Sequence, residues 1–283
     1  MMEKQSVSVP RISVIMSVKN GENTLDRSVG SIISQTFKDW EFIILDDGST
    51  DKTLSILKEY QRKDSRIIVL HNDVSMGSAY GRNACIRIAR ADILALQDAD
   101  DESLPNRFEI QYDYILKHPE YSIVGTNWYN VDSSGNCTEC KVKELPSARD
   151  QINRGLFMHP TFMMRKSEVE KVGFYTENKH TIRSQDYHMV MKVLAEGMKM
   201  YNLQVPLYRY SVNEGTMNRS LNWNRVKGLM WVKYDSLKRN RMPLWTYIYV
   251  FKPILVNMLP RKLMKTHYKK VYGIKNQQHE NKC

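Results

Sequence analysis

Three carboxylates crowd into four residues, Asp98, Asp100 and Asp101, directly after the apolar run at residues 93–96. Like charges at this spacing repel, so the arrangement asks for a positive partner. Asp98 and Asp100 are one residue apart, and from a bent chain at a strand's end both can point at one ligand. Hard oxygen donors suit Mg2+ or Mn2+, which take one or two protein carboxylates together with substrate phosphates. Such an ion acts as a Lewis acid toward a diphosphate leaving group. The competing reading is a solvated acidic turn in which Asp101 caps the helix that Pro105 opens. Two more acids stand where chemistry is done: Asp47 in LDDGSTD, and Asp186 in SQDYHMVMKVLAEG at the first turn of a predicted helix. A helix dipole alone also favours an acid at the latter position.

The elements that must position these acids alternate between two periods. Apolar runs of strand length occur at residues 12–16, 42–45, 67–70, 93–96 and 122–125, and segments of helical period at 23–35, 53–62, 81–89 and 106–117. This alternation predicts an α/β fold, a mainly parallel sheet with helices on both faces. Ligands of such sheets bind beyond the carboxyl ends of the strands, the rim on which Asp47 and Asp98 fall. LDDGSTD adds a turn signal and a helix N-cap at Ser49 or Thr50. From about residue 129 the alternation fails. SSGNCTEC reads as a hairpin turn, 146–155 as a short helix and HPTFMMRK as a strand. An amphipathic helix then ends at Gly197, and MKMYNLQVPLYRY reads as another strand. Residues 220–270 read as helical, broken by Pro243, Pro253 and Pro260.

Composition narrows the class. The chain has 283 residues, 42% hydrophobic and 26% charged, enough for a sizeable core and inconsistent with wholesale disorder. MMEKQSVSVPR has no apolar signal core, and the longest apolar stretch, 244–259, is interrupted by Lys252 and Pro253 and is too short to span a bilayer. Four cysteines do not make a disulfide framework, and a lone CTEC lacks the second pair a zinc site needs. These features predict a cytoplasmic protein. The net charge of +11 is uneven: residues 236–279 hold ten Lys or Arg and no acid, leaving 32 basic against 31 acidic residues elsewhere. The aromatic and basic mixture in that tail suits an anionic membrane surface. An ordinary helix packing its aromatics on the domain is the plainer reading. No recognition motif accompanies the charge, so no nucleic acid is expected.

Four blocks, ISVIMSVKNGE, SIISQTFKDWEFIILDDGSTDKT, GSAYGRNACIRIARADILALQDADD and SQDYHM, resemble the family 2 glycosyltransferases of the GT-A fold. The resemblance runs from about residue 11 to 210. It implies a catalytic domain over 1–215, with a nucleotide-binding half at 11–128 and an acceptor-side half at 129–215, followed by a helical basic appendage at 216–283. By resemblance Asp100 takes the metal, and Asp98 serves the nucleotide ribose or the metal. Asp47 meets the nucleobase edge, Ser17 contacts the base, and Arg82 lies near the nucleotide. Lys19 stands where many members carry a base-stacking aromatic, just before Asn20. His159 falls near the donor sugar, and Arg209 precedes a loop that folds over the diphosphate. Asp186 is the catalytic base, in a Gln185-Asp186 pair where the family has two acids.

The resemblance therefore implies an inverting, metal-dependent transfer of sugar from a nucleoside-diphosphate sugar, UDP-sugar favoured, to a glycan or lipid-linked acceptor in bacterial envelope polysaccharide synthesis. A peripheral position on the inner face of the plasma membrane goes with it. Two alternatives stand beside this reading. A sugar nucleotidyltransferase would need a Gly-rich phosphate loop after the first strand, and SVKNGENTL offers one Gly. A catalytically silent glycan- or membrane-binding protein would be consistent with the loss of an acid at Gln185.

Overall fold

The computed structural model describes residues 9–154, 157–212 and 223–258. In chain order, β1 (Ile12–Val18), α1 (Leu25–Ile33), β2 (Trp40–Asp47), α2 (Thr53–Lys63), β3 (Ile67–Asn72), α3 (Ser78–Ile88) and β4 (Ile93–Leu96) form a regular α/β half. There follow β5 (Glu102–Ser103), α4 (Arg107–Lys117), β6 (Tyr121–Val131), β7 (Cys137–Cys140) and α5 (Ala148–Arg154). A 3-10 turn at His159–Thr161 leads to β8 (Met163–Arg165), α6 (Lys166–Lys171), α7 (Gln185–Ala195) and β9 (Lys199–Ser211). The described chain ends with α8 (Trp223–Arg239), a 3-10 segment Leu244–Phe251 and α9 (Lys252–Met258).

The strands make one sheet in the order β3-β2-β1-β4-β8-β6-β9-β5, with β7 on β6. β1 pairs in parallel with β2 and with β4, whereas β4 and β8 are antiparallel. β1 and β2 are buried on both faces, as a parallel sheet between two helical layers requires. Successive side chains of β1 go to opposite layers. Ile12, Val14 and Met16 pack with Leu25, Val29 and Ile32 of α1, Leu57 of α2 and Phe108 of α4. Ile15 packs with Cys85 and Ile86 of α3 and Met189, Val190 and Val193 of α7. The apolar spacing seen in the sequence is thus what fixes α1 on one face and α3 on the other. A third, smaller cluster joins Ile152, Met191, Leu237 and Val250, tying α5, α7, α8 and the Leu244–Phe251 segment together.

Several boundaries depart from expectation. HPTFMMRK is not one strand: the 3-10 turn at His159–Thr161 precedes a three-residue β8. α2 is not capped by Ser49 or Thr50; Asp51 Oδ1 accepts the Thr53 N–H at 3.0 Å. Ser49 and Thr50 bond Asn20 instead, because the loop after β2 must be tied to the loop after β1. Pro253 does not break a helix but lies in the first turn of α9, where its missing N–H costs nothing. Pro260 lies outside the described residues. Gly197 does end α7: at φ 73° it closes the helix with its N–H to Leu194 O at 3.1 Å, and Met198 N–H reaches Val193 O at 3.3 Å.

Candidate active site

The carboxyl ends of β1, β2 and β4 converge on one rim. At the end of β1, Ser17 is half-buried under α3. A Cβ added to Gly81 would overlap Ser17 Oγ and lie 2.8 Å from Ser17 Cβ, so only glycine lets α3 sit this close to β1. Lys19 and Asn20 are exposed at the mouth. Asn20 is left-handed at φ 54°, and its Oδ1 accepts the Thr50 N–H at 2.9 Å while its own N–H donates to Ser49 Oγ at 2.8 Å. Asn20 therefore clamps two rim loops, a conformation its side chain tolerates well.

Asp47, at the end of β2, is buried and organises the loop after β3. Its carboxylate accepts from Asn72 Nδ2 at 3.0 Å, Ser75 Oγ at 2.7 Å, Met76 N–H at 2.7 Å and Gly77 N–H at 2.8 Å. Burial opposes its charge, but the bonds from Met76, Ser75, Asn72 and Gly77 outweigh burial and hold the carboxyl below the usual carboxylate range. Asp46 is separate, facing His71 Nδ1 at 2.8 Å.

The acidic turn after β4 is held by polar side chains that sequence reasoning passed over. Gln97 Nε2 donates to Ser28 Oγ at 3.1 Å, Asp98 O at 3.1 Å and Asp101 O at 2.9 Å. Ser28 Oγ donates to Asp98 O at 2.8 Å, and Arg27 Nη2 to Asp100 O at 2.8 Å. Arg107, wholly buried, reaches Leu96 O at 2.9 Å and Ser103 Oγ at 2.8 Å. Its burial brings its pKa down to about 10, against the opposing fields of Tyr208, Asp98 and Asp101. In the sequence this scaffold shows only as Ser103 and Arg107 at i, i+4 spacing; the burial of Arg107 is a property of the fold.

The three acids divide their work. Asp101 does not cap the helix after Pro105: it is fully buried and accepts the Ser211 N–H of β9 at 2.9 Å, because β5 is drawn into the sheet beside β9. Burial first, then the charges of Asp100 and Asp98, push its carboxyl well above the usual range. Asp98 and Asp100 are only partly buried on the rim. Among the described residues no group of three or more His, Cys, Asp or Glu is placed to hold an ion. Two rim carboxylates with the third turned into the sheet fit a divalent ion that completes its shell with phosphate and water, and not an all-protein cage.

Arg82 links the donor rim to the far wall of the cleft. From α3 its Nη2 donates to Asp98 Oδ1 at 2.9 Å, with the Arg82 side chain 10% and the Asp98 side chain 29% exposed. Its guanidinium lies over the Tyr175 ring at 5.8 Å and also feels the charge of Asp186. Asp186 lies in the first turn of α7 and is exposed to solvent. Loss of hydration in the cleft raises its carboxyl above the usual range, Asp98 adds to the rise, and the Tyr187 N–H and Arg82 oppose it. Gln185 Nε2 donates to Ser78 Oγ at 2.7 Å, so the residue in place of the expected first acid bridges the starts of α7 and α3.

His159 is buried, and its Nε2 meets the Tyr175 hydroxyl at 2.8 Å. Burial and Arg82 depress its pKa, so it is a neutral ring that sets Tyr175 under Arg82. Arg209, on β9, pairs with Glu102 at 3.6 Å, and Glu102 also meets Arg27 at 3.1 Å. The sheet thus brings Ser17, Asp47 and Asp98 to the carboxyl ends of β1, β2 and β4, with Arg82 of α3 on Asp98 and in the field of Asp186, His159 on Tyr175, and Arg209 on Glu102.

The chain as a whole is similar to known proteins. Residues 13–176 match the family described as Glycosyl transferase family 2. EpsE of Bacillus subtilis (strain 168) is 34% identical over 264 residues, covering 93% of this chain and 95% of its own. The Escherichia coli UDP-Glc:alpha-D-GlcNAc-diphosphoundecaprenol beta-1,3-glucosyltransferase WfaP is 27% identical over 213 residues, covering 73% and 79%. Among solved structures, residues 1–349 of S. aureus TarS in complex with UDP-GlcNAc match with TM-score 0.65 at 16% identity, covering 93% of this chain and 88% of that one. The mannosyltransferase PcManGT from Pyrobaculum calidifontis, in complex with GDP-Man and Mn2+, matches with TM-score 0.63 at 15% identity, covering 94% and 85%. The fold is the α/β arrangement of the GT-A type. The chain belongs to glycosyl transferase family 2.

Proposed function

We propose that the protein transfers a sugar, with inversion, from a nucleoside-diphosphate sugar to a hydroxyl of a glycan or lipid-linked saccharide in bacterial envelope polysaccharide synthesis. UDP-sugar is the favoured donor. The observation that carries this reading is Arg82, whose buried guanidinium is ion-paired with Asp98 on the donor rim and lies in the field of Asp186 on the opposite wall. One cation between a donor-side and an acceptor-side acid suits a reaction in which negative charge passes to a leaving diphosphate. Residues 1–215 are assigned as the catalytic domain and 216–283 as an appendage.

Ser17, Asp47, Arg82 and Asp98 seat the nucleoside, with Lys19 and Asn20 at the mouth. Asp100 and Asp98 would hold Mg2+ or Mn2+, which would supply positive charge to the diphosphate. Asp186 takes the proton of the attacking hydroxyl; a carboxylate raised above its usual range is a better base near neutral pH. The hydroxyl forms its bond to the anomeric carbon as the bond to the diphosphate oxygen breaks on the other side, which inverts the centre. Arg209, at the β9 edge beside Glu102, is assigned to the diphosphate side, and His159 to the positioning of Tyr175. The lipid-linked acceptor of WfaP and the UDP-GlcNAc of TarS support the acceptor and donor classes, and the Mn2+ with PcManGT supports the metal.

The test is a screen of UDP-, GDP- and dTDP-sugars for slow hydrolysis with and without Mn2+. Metal-dependent hydrolysis of a UDP-sugar is the expected result. Turnover of a GDP-sugar alone replaces the donor assignment, and no turnover of any donor overturns the reading.

A further inference from the structure

One stretch of the surface breaks the ordinary rule that large apolar side chains are exposed singly. In the 3-10 segment Leu244–Phe251, three residues per turn bring Trp245, Ile248 and Phe251 onto one edge. In α9, Leu255 and Met258 continue that edge at helical spacing from Phe251. All five are exposed: Ile248 70%, Leu255 66% and Met258 73%, with Leu244 beside them at 88%. The opposite edge, Thr246, Val250 and Pro253, is buried against the protein. The chain therefore holds a continuous apolar stripe outward by anchoring its other side.

The sequence that carries and follows the stripe is strongly basic. Residues 236–279 contain ten Lys or Arg and no Asp or Glu, and the 25 residues that follow Met258 contain seven Lys or Arg and one Glu. We infer that the Leu244–Met258 stripe lies in the interface of an anionic lipid bilayer, with its apolar edge among the acyl chains and the basic residues on the headgroups. Apolar area and cationic charge add in such binding. No helix among the described residues is long and apolar enough to cross a membrane, so the mode is surface docking. A second copy of the chain is a poorer occupant, since a two-fold contact through the stripe sets one cationic segment against another.

The stripe is joined to α7 through side-chain packing. Val250, on its buried edge, shares a cluster with Leu237 of α8 and Met191 of α7, and Tyr187, next to Asp186, packs on the same cluster. Docking thus fixes the start of α7 relative to the lipid surface. The inference concerns where the protein sits, and it stands whether or not the donor assignment holds.

The full chain is to be sedimented with vesicles of phosphatidylcholine alone and of phosphatidylcholine mixed with phosphatidylglycerol. Alongside it goes the variant Ile248→Ser/Phe251→Ser/Leu255→Ser, whose fold is checked by near-UV circular dichroism. The expected result is binding that needs phosphatidylglycerol, weakens with salt, and falls about tenfold or more in the variant. Metal-dependent donor hydrolysis should be unchanged in the variant, which separates this inference from the proposed reaction. Absence of binding to anionic vesicles overturns it. Binding that the variant retains in full also overturns it. A dimeric wild type made monomeric by the variant, without vesicle binding, overturns it in favour of self-association.

Discussion

Arg82 Nη2 and Asp98 Oδ1 are 2.9 Å apart, and this one contact joins helix α3 to the turn that follows β4. The pair is largely withdrawn from water, so removing the cation leaves a carboxylate short of its partner. Arg82→Met should destabilise the protein by about 1–3 kcal/mol, less than a fully buried pair because Asp98 keeps some solvent. Urea denaturation followed by circular dichroism checks this. An unchanged midpoint would show that the pair contributes nothing net.

The same substitution has a second, electrostatic readout at Asp186. Its carboxyl is raised by loss of hydration among the surrounding groups and by Asp98, and lowered by the Tyr187 N–H and Arg82. The deprotonated form is the base, so transfer is lost as pH falls through this raised pKa. Taking away Arg82 removes a lowering influence, and the acid limb of the pH–rate profile should move to higher pH. Asp98→Asn removes a raising influence, and at saturating donor its limb should move the other way. Shifts of the same sign in both variants would break the link between Asp186 and the rate.

Asp186→Asn keeps the shape of the side chain and discards its basicity. The expected loss in kcat is about 10²–10⁴-fold, the usual worth of a positioned general base. Calorimetry with nucleoside diphosphate and Mn2+ should give nearly unchanged affinity, since the residue faces the acceptor side. A variant that lost donor affinity while keeping kcat would place Asp186 on the wrong side of the reaction.

Gly81→Ala tests how closely α3 approaches β1. The new Cβ overlaps Ser17 Oγ and meets Ser17 Cβ at 2.8 Å, so the helix must shift. Overpacking of this kind costs about 1–3 kcal/mol, against a helix-propensity gain of about 1 kcal/mol. Ser17→Gly in the Gly81→Ala background clears both atoms and should restore part of the loss. A strictly additive double mutant, measured by denaturation, would mean that the two residues do not meet in solution.

The α/β half was legible because its signals are local. Short apolar runs marked β1 to β4, helical periods marked α1 to α4, and Asp47 and Asp98 fell on the rim by topology alone. What stayed hidden is set by distant partners. Asp101 reads as a cap within its own turn, yet its acceptor bond goes to Ser211, 110 residues away. Ser49 and Thr50 have the right types for a cap, but Asn20, brought over by the pairing of β1 with β2, takes them. His159 carries the chemistry of a catalytic residue in its type, and only the fold reveals that it is buried against the Tyr175 hydroxyl. Side-chain type is readable in one dimension, whereas the competition for a hydrogen bond is decided in three.

Asp47 supplies the final prediction, because it anchors the 72–77 loop by four bonds from Asn72, Ser75, Met76 and Gly77. Its folded pKa lies below the 3.8 of an unperturbed aspartate. The stability it lends is therefore complete above that unfolded value and lost as pH falls through the lower, folded one. Acid should loosen the 72–77 loop only below about pH 4, and hydrogen exchange at Met76 and Gly77 reports it. At neutral pH, Asp47→Asn replaces a charged acceptor with an amide that cannot accept four bonds. Exchange at those two amides should quicken about tenfold, equivalent to about 1.4 kcal/mol of local opening. Nucleotide affinity should fall with it, since the loop and the base end of the cleft share Asp47. Exchange as slow as in the wild type would mean that the loop is held by something other than this carboxylate.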